Sequence, residues 1–257
     1  MPGRTVPILL LGAVSVLPAA CGNSSTGAAA KRSTATHLVG SPGRSAARRI
    51  AAAADATAAM KSMRISLVLR GEANGESQTL RVNGVMSADG SRGRFTANLD
   101  GRRGEMLVVD GYSYVSAPSL GDRWYKTRTS ASASASPDPT SSLDALRGVS
   151  SDVAELGHET IHGTDTTHYR ADLDLRKAAD RASDRFDAEE LRDALGSDTL
   201  PADVWIARDG TLRRIEFDVD ATLGSVSGKA AMTFELYDFG VDVGEVRPPP
   251  ADRVVER

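Results

Sequence analysis

Residues 80–115 read LRVNGVMSADGSRGRFTANLDGRRGEMLVVDGYSYV, and three dipeptides, Asp89-Gly90, Asp100-Gly101 and Asp110-Gly111, punctuate the stretch at close to ten-residue intervals. Asp-Gly supplies the positive φ angles of tight hairpin turns, so three in series predict an antiparallel meander. The runs between them have strand periodicity. Leu80, Val82 and Gly84 alternate with Arg81, Asn83 and Val85; Phe95, Ala97 and Leu99 alternate with Thr96, Asn98 and Asp100; Met106 and Val108 lead to Tyr112 and Tyr114. Such alternation belongs to strands with one wet and one buried face.

The pattern extends in both directions. Upstream, Ile65, Leu67 and Leu69 alternate with Ser66, Val68 and Arg70. Before them an Ala-rich helix is expected over 45–63, with Ile50, Ala53, Thr57, Met60 and Met63 on one face. Downstream, Asp209-Gly210 joins Val204-Trp205-Ile206 to a run in which Ile215, Phe217 and Val219 alternate with Glu216, Asp218 and Asp220. A last strand near 228–239 places Met232, Phe234 and Leu236 on one face. Short helices are expected at 142–146, 175–182 and 187–195. The Ser-Ala and Ser-Pro repeats of 130–142 read as a low-complexity loop, and the chain after Arg247, with Pro248-Pro249-Pro250, as an extended tail. The sum is α+β: a large antiparallel sheet with a few helices packed on one side, in one domain over residues 45–250, followed by a tail at 251–257.

The N-terminus gives an address. Arg4, the apolar run through Leu17 and the small residues Ala19 and Ala20 have the layout of an export signal over 1–20. It ends at Cys21, the single cysteine of the chain. Two processing routes are open: cleavage before a diacylated Cys21, or ordinary cleavage nearby that leaves a free thiol. Ala19-Ala20-Cys21 fits a lipobox, although Pro18 stands where Leu is usual. An unpaired cysteine in an exported protein needs a reason, and lipidation supplies one. The expected location is the extracytoplasmic face of the cell membrane, held by an N-terminal lipid anchor. Residues 21–44, rich in Ser, Thr, Ala and Gly, read as a flexible tether. A formal charge of −3 gives no reason to expect nucleic acid or anionic lipid as a partner.

His158-Glu159-Thr160-Ile161-His162 matches H-E-x-x-H, and His168 falls at the spacing of a third zinc ligand. That chemistry needs both histidines on one face of a helix. Gly157 and Gly163 bracket the motif, β-branched Thr160 and Ile161 occupy its centre, and Tyr169, Ala171 and Leu173 alternate beyond it. A hairpin explains all of this, so a zinc metallopeptidase is the remote reading and no metal is assigned. No nucleophile elbow, phosphate loop or dinucleotide fingerprint occurs, so neither an enzyme nor a cofactor is expected.

Several motifs in order resemble a known family. They are Gly111-Tyr112-Ser113-Tyr114 with Trp124-Tyr125-Lys126; Gly157-x-Glu159-x-Ile161-x-Gly163 with Thr166-Thr167-His168-Tyr169; and Leu200-Pro201, Val204-Trp205-Ile206 with Gly210-x-Leu212-Arg213-Arg214. Over about residues 50–250 the chain resembles the LppX/LprG-type lipoproteins of actinobacteria, akin to LolA and LolB. The resemblance implies a curved antiparallel half-barrel with helices across its open side, and a lipid or other hydrophobic molecule held between them. On that expectation the inward-facing candidates are Ile65, Leu67, Leu69, Val82, Phe95, Leu99, Met106, Val108, Tyr114, Trp205, Phe217, Met232 and Phe234. The same residues would equally form a filled core, because alternation does not separate core from cavity wall. The alternative role is that of an envelope sensor or interaction module contacting a protein partner, with the 130–142 loop as a possible contact site.

Overall fold

The structure is a computed structural model. It describes residues 43–73, 75–118, 121, 123–129, 146, 149–176, 192, 195–223 and 226–256. The export signal, Cys21, the tether up to residue 42, the 130–142 loop and most of the expected short helices lie outside the described residues.

One α-helix, α1 (Gly43–Ala58), precedes the sheet. Ala46, Ile50, Ala53, Ala54 and Thr57 form its buried stripe at helical spacing. It ends five residues before the expected Met63. The N–H of Met60 bonds the carbonyl of Thr57, and Met63 is buried as a strand residue instead.

Twelve strands follow: β1 (Ser62–Ala73), β2 (Glu76–Ser87), β3 (Gly93–Leu99), β4 (Arg102–Val109), β5 (Tyr112–Ser116), β6 (Trp124–Arg128), β7 (Val149–Ile161), β8 (Thr164–Asp174), β9 (Thr199–Ala207), β10 (Leu212–Leu223), β11 (Val226–Tyr237) and β12 (Val254–Glu256). They form one open curved sheet in the order β12-β6-β5-β4-β3-β2-β1-β11-β10-β9-β8-β7. The half-barrel therefore consists of two antiparallel meanders, β1–β6 and β7–β11, joined where β1 pairs with β11. Asp100-Gly101 and Asp110-Gly111 make the two-residue turns expected of them, with φ positive at all four residues, closing on Leu99↔Arg102 and Val109↔Tyr112. The Asp89 turn is longer, and its carboxylate accepts hydrogen bonds from the Ser87 and Ser91 hydroxyls and the Ser91 N–H.

The C-terminal segment is not a free tail. The Ser62 hydroxyl donates to the Val241 carbonyl and Val243 is buried. A short 3-10 turn (Ala251–Arg253) then leads into β12, which pairs parallel with β6 and places Glu256 Oε1 2.9 Å from Lys126 Nζ.

Candidate functional site

Residues paired across a sheet share a face, so the registers assign each side chain to one side. The concave side is the one α1 covers. Helix and sheet are fixed there by polar contacts: the Thr57 hydroxyl accepts the Leu212 N–H at 2.9 Å and donates to the Ala53 carbonyl at 2.7 Å, and Arg49 donates to the Tyr169 hydroxyl at 3.3 Å. Three apolar rows cross this face. The first is Leu236–Ile65–Gly84–Phe95–Met106, and the second is Val204–Ile215–Phe234–Leu67–Val82. The third, nearer the hairpin tips, is Phe217–Met232–Leu69–Leu80–Leu99. A Cβ built on Gly84 would stand 2.3 Å from Phe95 Cδ1, so the Phe95 ring lies flat over that glycine.

Burial falls along the strands. Ile65, Val82, Phe95, Met106, Val108 and Phe234 are buried in the main core. Leu67, Leu69, Leu99, Phe217 and Met232 are half-buried on the same face toward the tips. The sequence reading passed over Leu80, Ala97 and Val115, which are also half-buried and pack against the core. Their signal was the same alternation.

Tyr114 and Trp205 are corrected to the opposite, convex face. Tyr114 pairs with Leu107 and Lys126, while its neighbour Val115 pairs with inward Met106. It is buried beside Tyr112 (ring centroids 6.5 Å apart), over which Lys126 Nζ sits at 4.1 Å. Trp205 lies between the inward Val204 and Ile206; it stacks on His168 with centroids 4.1 Å apart, and the Arg214 guanidinium lies 5.2 Å from its ring.

The H-E-x-x-H segment is strand and turn. His158 pairs with Thr167 on β8, and His162 occupies the turn with φ 46°. The histidines serve separate contacts. His168 lies 2.8 Å from Asp203 Oδ1 and 3.3 Å from Glu159 Oε1, whereas His162 stacks on Tyr237 and bonds Glu235 at 2.9 Å. Burial pushes the Glu235 carboxyl up, but hydrogen bonds from His162 and Arg214 outweigh it and hold the group below its ordinary value. Among the described residues no group of three or more His, Cys, Asp or Glu is arranged to hold a metal ion. What the arrangement offers chemically, among the described residues, is apolar contact on the concave face, half-buried toward the hairpin end.

No helix among the described residues is long and apolar enough to cross a membrane. No curated protein sequence matches the chain. The lipoprotein LppX of Mycobacterium tuberculosis shares the fold at 18% identity and a TM-score of 0.50, covering 77% of this chain and 98% of LppX. LprF of Mycobacterium bovis aligns at 16% identity and a TM-score of 0.46, over 82% of this chain and 99% of LprF. A LolA superfamily protein of Nitrosomonas europaea aligns at 10% identity and a TM-score of 0.32, over 80% and 94%. The LppX_LprAFG lipoprotein model matches residues 45–244, well over half of the sequence, and the chain belongs to that lipoprotein family.

Proposed function

We propose that this protein is a lipid-anchored, extracytoplasmic binding or carrier protein that holds a lipid or other hydrophobic molecule non-covalently on its concave face. The observation that carries the reading is the third apolar row. Leu69, Leu80, Leu99, Phe217 and Met232 continue the core surface but are only half-buried. An acyl chain laid there would remove that surface from water at about 25 cal/mol per Å². Cys21 is the anchor in this reading, residues 1–20 the export signal, 21–44 the tether and 45–250 the binding domain; no catalytic step is involved. Several acyl chains on Cys21, at ~0.8 kcal/mol per buried methylene, would make the attachment durable.

Mass spectrometry of the intact native protein reads acylation and retained ligand together. The expected result is an acylated chain carrying stoichiometric lipid. A protein that is empty as isolated and also fails to take up a fluorescent fatty acid would overturn the binding reading. A Cys21→Ser variant is expected in the soluble fraction; its retention at the membrane would overturn the anchor.

A further inference from the structure

The third apolar row does not end at Leu99. The two-residue Asp100-Gly101 turn closes on the pair Leu99↔Arg102, so the first residue of β4 extends the same row on the same face. The alternation on β4 agrees, since Met106 and Val108, four and six residues further on, are core residues. The row thus reads Phe217–Met232–Leu69–Leu80–Leu99–Arg102, with a guanidinium at one end.

That position is singular. Among the described side chains that the registers place on the concave face of β1–β6 and β8–β11, Arg102 is the one cation, apart from bulged Arg213. Arg213 is engaged elsewhere, with its guanidinium 4.6 Å from the Phe239 ring centroid and 3.2 Å from Asp209. The arginines close to Arg102, namely Arg70, Arg81 and Arg103, fall on the convex face by the same registers. Arg102 is exposed and has no ion-pair partner among the described residues. The single carboxylate on the concave face of β1–β6 is Glu76, four residues beyond Leu80 and so about 13 Å along the strand from that row. Asp100, in the turn itself, accepts the Thr79 N–H.

We infer that the ligand is an anionic amphiphile whose carboxylate or phosphate head is received by Arg102 while its chain lies across the apolar row. This rests on the binding reading above and names the chemical class that site takes. The row is long enough to take such a chain with length to spare. Five inter-strand spacings separate Phe217 from Arg102, about 24 Å, against the ~15 Å that a chain spans in one leaflet of a ~30 Å hydrocarbon core. A planar guanidinium with five N–H donors matches a carboxylate or a phosphate in two-point contact.

The test compares two probes on the purified protein stripped of endogenous lipid: a long-chain fatty acid with a fluorophore at its methyl end, and the methyl ester of the same molecule. The protein is expected to bind the acid on the order of fivefold more tightly than the ester, the scale of one exposed ion pair. The preference should shrink as salt rises. Arg102→Gln should abolish it by weakening the acid alone, Arg102→Lys should retain part of it, and Arg103→Gln, on the other face, should leave it intact. Equal affinity of the unaltered protein for acid and ester overturns the inference while leaving the binding reading standing. So does an equal loss of both probes in Arg102→Gln. Binding of neither probe by the unaltered protein overturns both.

Discussion

The two ends of the concave face are built from the same alternation and put to different uses. In the core that α1 shares with the sheet, Ile50 of the helix and Ile65, Ile215 and Leu236 of the strands are fully buried. Toward the hairpin tips, Leu69, Leu80 and Met232 project from the same strands and remain half-buried. Both rows are built of apolar residues where they cross β11 and β1. Whether a row becomes interior or accessible surface is decided by what lies over it.

That contrast can be broken experimentally. The largest effect is expected for Ile65→Ala, in the closed core, which should cost about 2–5 kcal/mol through lost transfer energy and a residual cavity, measured by urea unfolding. Thr57→Val leaves the buried Leu212 N–H without its acceptor and should cost about 1–3 kcal/mol in the same assay, with fatty-acid binding unchanged in the folded protein. Leu69→Ala should cost stability least, about 1 kcal/mol for a half-buried leucine, yet weaken uptake of the labelled fatty acid severalfold. A Leu69→Ala protein that loses as much stability as Ile65→Ala and binds normally would mean that both ends are one packed core.

The meander was legible because its turns are local. Asp100-Gly101 and Asp110-Gly111 each fix a register with two residues, and the faces of β3, β4 and β5 follow from them. Tyr114 continues the even numbering of Met106 and Val108, but a two-residue turn reverses that parity, so even residues of β4 face odd residues of β5. Carried through the turn, Val109↔Tyr112 puts Tyr112 and Tyr114 on the convex side. Trp205 had no such remedy, since Val204 through Ala207 are all buried and periodicity vanishes where both faces are covered. The three residues of β12, Val254-Val255-Glu256, are too few to show a period; their pairing with Trp124–Lys126 is a contact across about half the sequence. The zinc motif shows the converse. Its spacing was complete, but β-branched residues between two glycines favoured the strand and turn that hold His158 and His162 apart.

The junction of the two meanders has a consequence for how the protein comes to be made. Within each meander every strand meets a partner that is its neighbour in sequence, so either half can zip up from its own turns. The join itself pairs Ile65 with Leu236, Leu67 with Phe234 and Leu69 with Met232, across more than half the chain. Loop closure over such a separation is slow relative to hairpin formation. Those same residues lie in the middle of the concave rows. A chain made N-terminus first therefore presents half of that surface and waits for the other half, and the surface is whole only once the strand at 226–237 has arrived.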